Sequence, residues 1–97
     1  MRVEVNAAAH NDLLEIIAWY DLRSSTAGNS FLQEFNSAVD SIVNFPTAFP
    51  KVSRRTRRCR LSRFPYGIMY QVREDEIFIF AVIHLHRKPG LWKTRLQ

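Results

Sequence analysis

The chain holds a single cysteine, Cys59, so no internal disulfide can form, and neither a CxxC pair nor the Cys/His spacing of a structural zinc site is present. Glycine is scarce at three residues and proline at four, which excludes collagen-like, linker-like and low-complexity organisation. No apolar run approaches the roughly 18 residues that a membrane span requires, and the opening Met1-Arg2-Val3-Glu4-Val5 carries no apolar signal core. These absences predict a cytoplasmic protein of a reducing compartment with no membrane partner. Acidic residues are missing where cations are dense. Residues 1–50 set two cations against six acidic residues, a net −4, while residues 51–97 set twelve cations against three acidic residues, a net +9. Such polarity is the footprint of a surface for nucleic acid or for an acidic protein segment.

What is present is enough for a core. Across 97 residues, 46% are hydrophobic and 12% aromatic, which suits one domain spanning 1–97 without metal or disulfide support. Arg2 to Val5 alternates and predicts a first strand. Asn6 then predicts an N-cap, with Ala9, Leu13, Ile16, Ile17 and Tyr20 on one helical face and Asp12 and Glu15 turned to solvent. Ser24-Ser25-Thr26 supplies caps for a second helix bearing Phe31, Phe35, Ala38, Val39 and Ile42, and Asn44-Phe45-Pro46 ends it. From Phe64 the period becomes 2, predicting a strand covered on one face, a turn at Glu74-Asp75 and a last, continuously apolar strand from Ile77 to Ile83. The expected class is α+β, in the order β-α-α-β-β-β.

The densest chemistry lies between Lys51 and Arg63, where seven cations occur in thirteen residues with no acid. On a strand, Arg58 and Arg60 share one face and Arg57 and Arg63 tend to the other. Charged edge strands resist aggregation, but one or two charges suffice for that, whereas phosphate binding scales with charge number. Arginine forks bind phosphate and carboxylate bidentately, so an anionic partner is expected. His84 and His86 end the last strand on one face. Only His10 and Cys59 remain as further metal ligands, so neither a metal nor a cofactor is expected. No Ser-His-Asp set, phosphate-cradling glycine loop or paired carboxylates occur.

The Ala8-to-Leu13 opening with Glu15-Ile16 and Trp19-Tyr20, the Ala27/Phe31 helix start, the Pro46 break, Arg57-Arg58 before Phe64-Pro65-Tyr66, Tyr70-Gln71-Val72, and His84 with Arg87, Pro89, Trp92 and Arg95 together resemble the RelE/ParE toxins of bacterial toxin-antitoxin modules. The resemblance runs nearly the whole chain. It implies a helical hairpin packed on a twisted antiparallel sheet, and a cognate antitoxin, small and acidic at its C-terminus, that wraps the toxin. RelE-like members cleave messenger RNA on the ribosome, and ParE-like members inhibit DNA gyrase. Gly67 stands where RelE-like enzymes carry an arginine, and Trp92 falls near their C-terminal tyrosine, although Arg87 matches a RelE-like position. The tail looks more like the ParE-type, plasmid-stabilisation branch. The resemblance therefore implies a ParE-like toxin, with two alternatives: a ribosome-dependent endonuclease using Arg58, Arg60, Arg63, His84 or Arg87, or a degenerate nucleic-acid-binding module. The apolar last strand rimmed by arginine predicts an exposed strip for the antitoxin, touching Arg57, Arg58, Arg60, Arg63, Phe78, Phe80 and Trp92, unless the tail folds back over it.

Overall fold

The computed structural model describes residues 1–87 and 90–96. The elements are β1 (Arg2–Val5), α1 (Ala7–Asp21), α2 (Ala27–Asn44), β2 (Arg57–Arg60), β3 (Tyr66–Arg73), β4 (Glu76–His84) and a 3-10 helix (Leu91–Leu96). The strands form one sheet in the order β1-β4-β3-β2. The order of elements is the one the periodicity predicts, but the sheet is mixed, not antiparallel. Successive hairpins make β2, β3 and β4 alternate in direction. β1 is separated from β4 by both helices, β2 and β3, and it pairs in parallel, Val3 opposite Ile77 and Val5 opposite Ile79. A connection of that length permits parallel pairing, which a tight turn does not.

Local chemistry sets the helix ends. The Asn6 side chain accepts a hydrogen bond from the Ala9 N–H at 2.9 Å, the predicted N-cap. Thr26 occupies the N-cap position of α2 but makes no side-chain cap bond. The start of α2 is instead fixed by close contact with α1. A Cβ at Gly28 would lie 2.9 Å from the Ile17 carbonyl oxygen and nearer still to Asp21, so only glycine fits that approach.

The main core lies between helices and sheet, where Leu13, Ile16, Phe31, Phe35 and Ile42 meet Ile68, Tyr70, Ile77, Ile79 and Val82. The Tyr70 hydroxyl reaches through this layer to donate to the Pro46 carbonyl at 2.7 Å, and burial pushes its pKa up to about 12. That bond ties the connection after α2 to the sheet. β3 is buried on both faces from Gly67 to Gln71, where one covered face was expected. The second cover is the C-terminal 3-10 helix, whose Trp92 packs with Met69, Phe80 and Ala81 on the far side of the sheet. A bulge makes this possible. The register steps from Met69 opposite Ala81 to Tyr70 opposite Ile79, leaving Phe80 as an extra residue in β4.

Cys59 faces the main core at 3% exposure, and burial raises its thiol to about 11. The thiolate is the reactive form, so the folded chain should resist iodoacetamide at pH 8 and react quickly once denatured. Mass spectrometry of the alkylated fraction checks this. Rapid labelling under native conditions would place Cys59 at the surface.

Candidate functional site

The two faces of the sheet divide the predicted site residues. Cys59 points to the helices, so its neighbours Arg58 and Arg60 point to the far side, as strand alternation requires. Arg57 takes the opposite direction at the sheet edge, where its Nη1 donates to the carbonyls of Phe49 at 2.7 Å and Thr47 at 3.1 Å. Arg63 leaves the cluster altogether. Its backbone N–H and Nε clasp the Glu34 carboxylate of α2 at 2.8 and 2.9 Å. Burial alone would raise the Glu34 pKa, but the bonds from Arg63 outweigh it and hold the carboxyl below its ordinary value.

Arg58 lies half-buried opposite Met69 and against Gly67, and a Cβ at Gly67 would stand 3.1 Å from Arg58 Cγ. The absence of a side chain at Gly67 therefore makes room for the Arg58 stem. The Arg58 Nε is enclosed there without a hydrogen-bond partner among the described residues. Arg60 is exposed.

The strip predicted along β4 is only partly open. Phe80 is 0% and Trp92 5% exposed, because the tail folds back and brings the two rings to 6.1 Å. The Phe78 ring stacks on Phe80 at 6.1 Å and carries the Arg73 guanidinium at 3.9 Å. Burial of apolar rings drives the tail onto this face, and Arg95 fastens it.

His84 stands on the helix face, not with Arg58 and Arg60. Its ring meets Tyr66 at 5.1 Å and His86 at 5.8 Å. His84 Nδ1 accepts the His86 N–H at 3.0 Å, which leaves Nε2 to carry the proton of the neutral ring. Burial lowers its pKa, assisted by the positive charge of Arg87 and by His86. Arg87 also acts on Tyr20 and Tyr66. The five nuclease candidates thus fall into three places: Arg58 and Arg60 beyond the sheet, Arg63 clasped to Glu34 of α2, and His84 with Arg87 near Tyr66. Lys88 and Pro89 of the tail motif lie outside the described residues.

Two features escape sequence reasoning. Asp12 does not face solvent. It accepts the Val82 N–H at 2.9 Å and holds Arg95 through two oxygens at 2.6 and 2.9 Å. The second is a cleft of about 550 Å³ beside the β2–β3 edge, lined by Lys51, Arg54, Arg55, Arg57, Gln71 and Arg73, among others. Arg73 lies beyond the 51–63 run, and only its period-2 relation to Gln71 marks it in the sequence.

The sequence matches the family model described as the ParE toxin of the type II toxin-antitoxin system parDE, over residues 3–89. A comparison with curated proteins finds no match. Among solved structures, the chain is similar to one described as the chromosomal ParDE TA system from P. aeruginosa, at 20% identity and a TM-score of 0.76, covering 89% of this chain and 97% of that one. At that identity the likeness shows a shared fold. With a family match across almost all of its length, the chain belongs to the ParE toxins of type II toxin-antitoxin systems.

Proposed function

We propose that this chain, as one toxin domain over residues 1–97, inhibits growth in the cytoplasm by acting on DNA gyrase, and that a cognate antitoxin with an acidic C-terminal segment neutralises it. The family match over residues 3–89 is the observation that carries this reading. The dispersal of Arg58, Arg60, Arg63, His84 and Arg87 over three places supports a non-nucleolytic toxin, because acid-base chemistry on one phosphate needs its groups within hydrogen-bond reach of it. No helix among the described residues is long and apolar enough to cross a membrane.

For the antitoxin, the far face of the sheet is the surface we favour. Phe78 is half-buried there, on the same face as Arg58, Arg60 and the tail around Trp92, and the arginine forks suit the carboxylates of an acidic segment. Arg57 and Arg63 lie away from that face and would contribute from its edges.

Inducing the chain alone in bacteria tests the reading. Filamentation with an SOS response, relieved by co-expressing the small acidic-tailed protein encoded beside it, is the expected outcome. Arrested translation with cut messages would replace gyrase with the ribosome as target, and unaffected growth would make the chain a degenerate, non-toxic binding module.

A further inference from the structure

The cleft beside β2 and β3 is rich in cations, and among the described residues none of them forms an ion pair. Five of its lining residues are Lys51, Arg54, Arg55, Arg57 and Arg73. The ion pairs among the described residues are Arg2–Glu76, Arg63–Glu34 and Arg95–Asp12, and none involves the cleft. Two of the five are nonetheless held in place. Arg73 donates through Nε and Nη2 to Gln71 Oε1 at 3.1 and 2.9 Å, and Gln71 Nε2 donates in turn to Thr56 Oγ1 at 3.3 Å. Gln71 and Thr56 are buried. Arg57 is held by backbone carbonyls of the preceding loop. Neutral acceptors orient both guanidinium groups without cancelling their charge, which is what an anion site requires. Lys51, Arg54 and Arg55 are exposed at the rim.

We propose that this cleft binds the phosphodiester backbone of nucleic acid without reading base sequence. A peptide is the weaker candidate. Protein interfaces bury apolar anchors in cores depleted of charge, and among the described residues Val72 is the sole aliphatic one lining this cleft. Interfaces with nucleic acid are polar, wet and strongly positive, as this one is. The described residues that line the cleft include no aromatic ring on which a base could stack. Charge is left as the source of affinity.

Fluorescence anisotropy on the purified chain tests the proposal, using a short mixed-sequence DNA duplex, the same single strand as DNA and as RNA, and poly-glutamate as competitor at matched charge. Affinity should fall linearly in log–log form with salt, and each of Arg54→Gln, Arg55→Gln and Arg73→Gln should reduce that slope by about 1. Arg23→Gln, in the connection between α1 and α2 and outside the cleft, should leave the slope unchanged. The three nucleic acids should all bind, and two unrelated duplex sequences should differ by less than about tenfold. An unchanged slope in both exposed-rim variants, Arg54→Gln and Arg55→Gln, would overturn the proposal. So would displacement by poly-glutamate at equal charge, which would make the cleft a site for acidic peptide. The measurement is independent of toxicity, so failure here leaves the gyrase reading standing, and failure there leaves this one.

Discussion

Phe31→Ala should destabilise the chain by about 3–5 kcal/mol, the range measured for emptying a buried aromatic site. The ring is 0% exposed. It stacks on Tyr20 at 5.8 Å and meets Phe64 and Tyr66 edge-on at 5.1 and 5.4 Å. Those partners come from α1, from the segment entering β3, and from β3 itself, so this cluster joins both helices to the sheet. Their backbones belong to separate segments of the fold, which limits how far the rings can follow into the vacated volume. Tyr66, for example, is pinned by its N–H to the Phe64 carbonyl at 2.8 Å. The cavity therefore stays open, and the edge-to-face terms of about 0.5–1.5 kcal/mol per pair are lost with the transfer energy. Against a total stability of about 5–15 kcal/mol, such a loss leaves a chain that unfolds often enough to be degraded in cells. Urea melts followed by circular dichroism would measure it, and Phe31→Leu should fall between the two. A loss below about 1 kcal/mol for Phe31→Ala with an unchanged m value would show the cluster to be loosely packed.

The parts of this fold that repeat locally were legible in the sequence. Ala9, Leu13 and Ile16 on α1 and Phe31, Phe35 and Ile42 on α2 are buried as their spacing predicts. Asn6 caps as its residue type and position predict, because both partners lie within one turn. What was not legible depends on pairs far apart in sequence. The run Ile77 to Ile83 is apolar throughout, so its alternation carries no phase, and one extra residue at Phe80 shifts every side chain beyond it to the other face without altering the composition. The parallel pairing of β1 likewise has no turn to announce it. The arginine run was visible as a charge density, but a charge count does not reveal which cations find partners. Glu34 draws Arg63 against α2, and Gln71 draws Arg73 into the cleft. Asp12 looked like an ordinary solvated residue on α1, since its ligands are 70 and 83 residues away.

Asp12→Ala is the substitution that tests whether this contact closes the sheet. β1 ends at Val5, and the Asn6 N–H makes the last bond of that edge, to the Ile79 carbonyl at 3.0 Å. Beyond that point side chains replace the missing strand. Asp12 takes the Val82 N–H, and Arg95, held bidentately by Asp12, donates to the Phe80 carbonyl at 3.1 Å. The side chains of Asp12 and Arg95 retain 14% and 33% exposure, so the pair lies between a surface salt bridge, worth under about 1 kcal/mol, and a buried one, whose disruption costs about 3–5 kcal/mol. Removing Asp12 also strands the Val82 N–H, a further cost of about 1–3 kcal/mol. The expected loss is therefore about 2–4 kcal/mol. Asp12→Asn should cost less, because its amide oxygen can still accept from Val82. The change should spread to the tail, since Arg95 and Trp92 share the same short helix. Freed from Asp12, that helix should detach and expose Phe80 and Met69. Hydrogen exchange should then speed up at Val82 and across 91–96, with loss of near-ultraviolet dichroism from the Phe80–Trp92 pair. An Asp12→Ala chain that melts within about 0.5 kcal/mol of the parent and keeps Val82 protected would show that the edge is closed by β4 and its neighbours alone.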